Sequence, residues 1–303
     1  MFNGDMQQAP TLTNWLHLLT LGVIWGGTFM FISIALRDYG PITVACARTT
    51  LGALSLLILM RIFGAKPPTR EAIPSLIKIG LFSTAIPFML LSWGLTHVPS
   101  SFAGISMASV PLFVLPLAHI FSDEPMDTRG VIGMLMGFIG IVVLIGPTAL
   151  NIGQGVVLFG QIACFGAALC YAISSINSRN CPPTDPMTIG AVSLMVGAVV
   201  MVPLMLYFEG IPKVESPGPT VAIILLGLLP TAFATYLRIL IIRSAGSVFM
   251  TLVNFQVPLW SVFFGAILLA EPVPSSLFAA LVLILSGLVI SQFSNLKRIF
   301  NRL

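Results

Sequence analysis

Long apolar stretches fill almost the whole chain, broken at short intervals by proline, glycine or a few polar residues. The stretches are continuous and lack strict alternation, which fits lipid-facing or buried helices and excludes a transmembrane barrel. Ten helices are predicted, at 14–36, 41–62, 72–94, 100–121, 129–146, 155–177, 187–207, 220–239, 247–269 and 275–296. Gly40-Pro41, Pro67-Pro68, Gly146-Pro147, Pro182-Pro183, Pro217-Gly218-Pro219 and Pro272 punctuate the gaps. The runs have roughly the 20 residues that cross a bilayer. Their connections are short, so consecutive helices are expected to be antiparallel neighbours.

Composition fixes the solvent. Of the 303 residues, 57% are hydrophobic and 8% charged, against about 25% charged in soluble domains. A soluble core cannot hide that much apolar surface, and unpaired backbone is not tolerated in hydrocarbon. The expectation is an all-α integral membrane protein. Residues 1–14 lack Lys and Arg, and the apolar run Trp15–Leu36 is longer than a signal-peptide core, which predicts a retained first span. With the N-terminus in the cytoplasm, the inner connections carry Arg61, Lys66, Arg70, Arg129, Arg179, Arg238, Arg243, Lys297, Arg298 and Arg302, and the outer ones only Arg37 and Lys213. That asymmetry predicts both termini inside.

The sequence also repeats itself. "VPLFVLPLAHIFSDEP" at 110–125 returns as "VPLWSVFFGAILLAEP" at 257–272. The two copies close predicted helices 4 and 9. Trp25 then corresponds to Tyr171, Gly40-Pro41 to Asp185-Pro186, Gly52 to Gly197 and Gly140 to Gly287, a nearly constant offset of 145–147. The predicted domains are therefore two five-helix repeats, 14–146 and 155–297. Five is odd, so the second repeat crosses the membrane in the opposite sense to the first. Such a pair can rock between states that expose a midplane site to either side; alternatively, duplication only built a stable bundle.

"WGGTFMFISIALRDYGPITVACARTTLGAL" at 25–54, "WGLTHVPSSFAGISMASVPLF" at 93–113, the acidic-Pro end of helix 4 and "GVIGMLMGFIGIVVLIGP" at 130–147 resemble the EamA-type half of the drug/metabolite transporter superfamily. The resemblance covers nearly the whole chain. It implies a ten-helix, 5+5 carrier of the inner membrane that exports small metabolites, with the aromatic amino-acid exporters as the group most resembled. Ser193 stands where the first half has Arg48, so a symmetric role for Arg48 is not expected.

Polar residues within the spans supply the candidate site. On helix 9, Ser247, Thr251, Asn254, Pro258 and Ser261 share one face. That stripe lines a wet cavity or makes interhelical hydrogen bonds. Gln256 points elsewhere and is read as structural. Helix 8 contributes Pro230, Thr231, Thr235, Tyr236 and Arg238, and helix 3 Ser83, Thr84 and Pro87. Trp25 and Tyr171, the repeat mates near mid-span, are read as cavity walls or ordinary packing. The expected substrate-binding set is Trp25, Thr28, Ser83, Pro87, Met107, Tyr171, Thr235 and Asn254. Pro111 and Pro258 are expected hinges. Arg48 either pairs with a substrate carboxylate or holds the structure. Gly22 with Gly26 and Gly133 with Gly137 have the spacing of close helix packing.

All ten Asp and Glu lie at loops, tails or helix ends, and His17, His97 and His119 lie near boundaries. A proton relay needs a titratable group at depth, so facilitated diffusion without carboxylate-based proton coupling is expected. Cys46, Cys164, Cys170 and Cys181 show no metal or redox spacing. No cofactor, no metal and no nucleic acid is expected; the +4 charge is scattered singly between spans. The absence of H-E-x-x-H, G-x-S-x-G and a deep Asp pair argues against an enzyme. The expected partners are the bilayer and a small-molecule substrate, with packing that a monomer can satisfy. The substrate is expected to be a neutral or aromatic amino acid or a similar amphipathic metabolite. The alternatives are export of drugs or toxic organics, lipid movement, or a channel.

Overall fold

In the computed structural model the described residues are 10–121, 128–145, 156–214, 216–293 and 297, and every regular element among them is helical. Thr11 caps the first helix, its hydroxyl accepting the Asn14 N–H at 3.3 Å. The helix runs as α1 (Leu12–Gly26) and, past a single offset at Gly27, α2 (Thr28–Ala35). There follow α3 (Pro41–Ile62), α4 (Ile73–Gly80), α5 (Ile86–Gly94), α6 (Ser100–Met107), α7 (Val110–Phe121) and α8 (Thr128–Ile145). The second half comprises α9 (Val156–Arg179), α10 (Pro186–Phe208), α11 (Pro217–Gly227), α12 (Ala234–Met250), α13 (Val253–Leu268) and α14 (Ser275–Ser291). Seven segments among the described residues are long and apolar enough to span a bilayer: Leu12–Ala35, Pro41–Ile62, Arg70–Gly94, Ser100–Phe121, Val156–Arg179, Pro186–Phe208 and Pro217–Gly246. Three further apolar helices, within α8, α13 and α14, are shorter.

Two boundaries differ from expectation. Pro217-Gly218-Pro219 does not separate helices but forms the first turn of α11, where proline costs nothing because the first N–H groups have no intrahelical acceptor. The predicted 220–239 helix therefore starts earlier, and it also continues to Gly246. There φ is 90°, open to glycine, and a second break at Thr251-Leu252 precedes α13.

The offset that aligns the two sequence copies also relates their contacts. Short π-helical segments interrupt the third and eighth predicted helices at Leu81–Ala85 and Leu228–Phe233, 147 residues apart. Thr84, in the first, gives its hydroxyl proton to the carbonyls of Gly80 (2.7 Å) and Ser193 (2.8 Å). Thr231, its mate, receives Arg48 Nε at 3.0 Å, and Arg48 is the mate of Ser193. Gly80 packs against Val196 and Gly227 against Leu51, again mates of one another. Thr43 Oγ1 donates to Glu209 at 2.7 Å, and Thr188 Oγ1 to the Lys66 carbonyl at 2.7 Å. The Thr84, Thr231 and glycine contacts thus have partners with the two halves exchanged, whereas Lys66 and Glu209, 143 residues apart, fall outside that offset.

Glycines set the closest helix approaches. α8 and α14 cross backbone to backbone at Gly133 and Gly287. α1 lies on α13 with Gln256 over Gly22 and Trp260 over Gly26, so the predicted Gly22/Gly26 packing is observed and Gln256 is part of it. α6 meets α13 where Gly104 faces the Ser261 side chain. These contacts leave two main apolar clusters. The larger includes Leu21, Phe29, Ile105, Phe249 and Ile284; the smaller includes Leu56, Phe88, Leu194 and Met201.

Candidate functional site

Arg48 sits seven residues into α3, roughly 10 Å from its start, and is only 7% exposed. A buried guanidinium in a membrane span demands partners. Two are present. Nε donates to Thr231 Oγ1 at 3.0 Å, and the Cζ atom lies 3.7 Å from the centroid of the Phe88 ring, a cation–π contact. Tyr171 of α9 lies within electrostatic reach of the same guanidinium and touches both apolar clusters. The terminal nitrogens of Arg48 have no hydrogen-bond acceptor among the described residues. The chain places no Asp or Glu within the interior of any span, and the one ion pair among the described residues is Arg243–Asp185, at a helix end.

The π segment at Leu228–Phe233 positions the arginine's neighbours. A π turn misaligns the backbone ladder, and Pro230 cannot donate at all. Side chains fill the gaps: Thr231 Oγ1 donates to Leu226 O at 2.9 Å, Thr235 Oγ1 to Thr231 O at 2.6 Å, and Trp25 Nε1 to Pro230 O at 3.2 Å. These bonds join Trp25 to the Pro230–Thr231 turn and Thr231 to Arg48, with Phe88 and Tyr171 beside the guanidinium, across α1, the π segment, α3, α5 and α9.

Of the sequence-predicted set, Trp25, Tyr171, Thr235 and Arg48 belong to this chain of neighbours, and Pro87 is buried beside Phe88. Ser83 lies half-buried in the π segment of Leu81–Ala85. Thr28 is buried, and its hydroxyl is turned back onto the Ile24 carbonyl at 3.3 Å. Met107 ends α6 against the larger apolar cluster. Asn254 stands half-buried in the first turn of α13, just beyond the break. Ser261, on the same stripe, is buried against Gly104 and donates to Pro258 O at 2.9 Å, so the stripe is interhelical packing at that end. The Ser247 side chain lies outside the described residues. Tyr236 stacks on Phe63 at 5.4 Å, and Arg238 is exposed, so neither joins the site.

Phe88 was not anticipated, nor were the π segments. The repeated Thr-Ala pairs, 84–85 and 231–232, carry the same 147-residue offset and were the available signal. Also unanticipated are two carboxylates that reach across to helix starts. Glu209, just past α10, accepts the Ile42 and Thr43 N–H groups at 3.0 and 2.7 Å. Glu271, beyond α13, accepts those of Ser100 and Ser101 at 2.7 and 3.0 Å. Gly40 leaves the room that Glu209 fills; its mate Asp185 instead caps its own helix, accepting Met187 N–H at 2.8 Å. A cleft of about 410 Å³ between Asp38, Thr43, Glu209 and Lys213 adjoins the first of these caps.

Apolar helices around a buried cation define an α-helical, multi-pass membrane protein. The EamA-like transporter family model matches residues 14–146 and again 158–293, and the chain belongs to that family. The uncharacterized transporter YoaV of Bacillus subtilis (strain 168) is 25% identical over 286 residues, 93% of this chain and 98% of its own. The uncharacterized inner membrane transporter YedA of Escherichia coli (strain K12) is 24% identical, covering 90% of this chain and 88% of its own. A protein named as a probable terminal-alkyne amino-acid exporter, from Streptantibioticus cattleyicolor, is 24% identical over 72% of each chain. One solved crystal structure superposes with a TM-score of 0.66 at 19% identity, over 93% of this chain and 98% of its own, and so shares the fold. The chain is a multi-pass inner-membrane protein of a transporter family.

Proposed function

We propose that this protein is an exporter of small amphipathic metabolites, amino acids with neutral or aromatic side chains foremost, working by alternating access. Its ten spans form two five-helix repeats, 14–146 and 155–297, lying in opposite senses in the membrane with both termini in the cytoplasm. The exchanged contacts support this reading. Thr84–Ser193 with Thr231–Arg48, and Gly52–Thr231 with Gly197–Thr84, are the pairs that a two-fold relation generates. An arrangement of this kind can rock about a shared middle.

The observation that carries the substrate reading is Arg48. Its guanidinium is buried on Phe88 and Thr231 without a carboxylate partner among the described residues. A substrate carboxylate completes it, while Trp25, Tyr171 and Phe88 offer an apolar body its walls. Cationic drugs are disfavoured by the same charge. The spans hold no carboxylate to carry protons, so transport is facilitated diffusion and needs no cofactor. Purified protein in liposomes, given a panel of labelled amino acids, is expected to equilibrate the aromatic ones with or without a pH gradient. Accumulation driven by a pH gradient alone contradicts the coupling, and no flux of any amphipathic solute contradicts the carrier.

A further inference from the structure

We infer that the preferred substrate is a mono-anion, a small amphipathic carboxylate with no accompanying ammonium group, which the inside-negative membrane potential drives out of the cell. This rests on the carrier reading above and, among its small amphipathic metabolites, ranks carboxylates without an ammonium group ahead of the amino acids. Around Arg48 the site offers a cation and no counter-charge to a second cation. On the donor side, the terminal guanidinium nitrogens have no acceptor among the described residues. On the acceptor side, the backbone carbonyls that the helix irregularities release already hold a donor. Leu226 O takes Thr231, Thr231 O takes Thr235, and Pro230 O takes Trp25. Ile24 O takes Thr28, and Gly80 O and Ser193 O share Thr84.

A carboxylate entering this site meets a cation with open N–H groups. An ammonium group entering with it meets a like charge and neutral acceptors only: carbonyls that each already hold one donor, and the buried oxygens of Ser193 and Gln256. No Asp or Glu lies in the interior of any span to receive it. α13 offers two neutral amides, Asn254 and Gln256, and these are dipoles against a full charge in a low-dielectric setting. A zwitterion therefore leaves its ammonium without a counter-charge, and a mono-anion leaves no charge uncompensated.

The same count fixes the driving force. Arg48 stays with the protein, and no titratable carboxylate crosses with the substrate, so each turnover moves one negative charge. With the cytoplasm negative, that charge is expelled, and net export follows without a proton. At equilibrium the concentration ratio of a monovalent anion changes about tenfold for each ~60 mV, from ~2.3 kcal/mol per charge per 100 mV.

The test uses three isosteres with one aromatic body: phenyllactate (anion), phenylalanine (zwitterion) and phenylalaninol (cation). Protein in liposomes carries a potassium gradient clamped with valinomycin. Phenyllactate uptake is expected to run at least about tenfold faster than phenylalanine uptake and to increase when the interior is made positive. Phenylalaninol uptake is expected to match protein-free vesicles. Arg48→Gln is expected to abolish the anion preference, whereas Arg48→Lys, which keeps the charge, preserves the order of the three at lower rate. Phenylalanine moving as fast as phenyllactate, or phenyllactate flux indifferent to the potential, overturns the inference and leaves the carrier reading standing. Flux of none of the three above protein-free vesicles overturns both.

Discussion

Glu209 holds Thr43 twice, through the backbone N–H and through the hydroxyl, each at 2.7 Å. The carboxylate comes from beyond the far end of α10 and closes the first turn of α3, which lacks a capping side chain of its own because Gly40 occupies that position. Negative charge at a helix N-terminus is favourable, and loss of a cap costs about 1 kcal/mol, with 2 as an upper figure. Glu209→Ala is therefore expected to lower the melting temperature in detergent by a few degrees. Gly40→Ala is expected to do the same, because a methyl there takes the space of the carboxylate. Thr188→Val, which removes only a neutral bond to the Lys66 carbonyl, is expected to cost less. Equal melting of wild type and Glu209→Ala would remove the cap from the account of stability.

The ordering of these three residues shows what the sequence made legible. Helix existence and the repeat register were readable, because apolar run lengths and the recurring glycine, proline and aromatic landmarks are local signals. In the sequence Glu209 is only one of ten carboxylates at loops, tails or helix ends, since its partner lies 166 residues away and nothing local marks the pairing. Helix interruptions were missed for a related reason. Leu81–Ala85 and Leu228–Phe233 look like ordinary apolar helix, and what marks them is the Thr-Ala repeat, visible only once the register is fixed. Arg48 stood out in the sequence as a lone cation in a span. Its Phe88 platform and Thr231 partner depend on how α3 packs, and residue spacing does not report that.

Arg48 and Thr231 give a graded prediction. Arg48→Leu removes the charge and the cation–π contact together, and is expected to slow transport of carboxylate substrates roughly 10- to 100-fold, the worth of a charge-assisted hydrogen bond. Thr231→Val leaves the charge but strips Nε of its acceptor and Leu226 O of its donor. It is expected to destabilise the fold by about 1–3 kcal/mol, with a smaller effect on substrate affinity. Initial rates in liposomes and thermal unfolding separate the two. Unchanged affinity in Arg48→Leu means that the arginine is structural.

Gly104 and Ser261 couple α6 to α13. A Cβ on Gly104 would collide with the Ser261 side chain, and overpacking of this kind costs about 1–3 kcal/mol. Gly104→Ala is expected to lose that much stability. Ser261→Gly gives up one local bond, to Pro258 O at 2.9 Å, but makes the space. The double variant is expected to be more stable than the sum of the singles predicts, by 0.5 kcal/mol or more. Strict additivity would show that the two helices do not meet there.

The opposed orientation of the repeats is tested by single cysteines in a background lacking Cys46, Cys164, Cys170 and Cys181. Replacements at Lys66, in the connection after α3, and at Arg179, the end of α9, both on the cytoplasmic side of the proposed topology, are expected to react with an impermeant maleimide only after cells are opened. Replacements at Arg37 and Lys213 are expected to react in intact cells. Labelling of Lys66 and Arg37 from the same side would refute a membrane crossing by α3.

The two expected hinge prolines occupy different settings, and this separates their effects. Pro111 is the second residue of α7, where an N–H has no intrahelical acceptor. It follows a break at Ala108-Ser109, closed by tightened turns from Ala108 N–H to Ile105 O (3.0 Å) and Ser109 N–H to Ser106 O (3.1 Å). Pro258 lies inside α13, where it cannot donate to the Asn254 carbonyl. Pro111→Ala is expected to leave the melting temperature nearly unchanged, because no bond is gained. It relaxes the fixed φ that holds the chain just past the α6–α7 break and so slows exchange between the two access states several-fold. Pro258→Ala is expected to raise the melting temperature, since the missing bond in α13 can form. Counterflow rates and thermal unfolding on the same preparations test both variants. A Pro111→Ala protein with wild-type flux would mean that the break in helix 4 is fixed by packing and takes no part in the transport cycle.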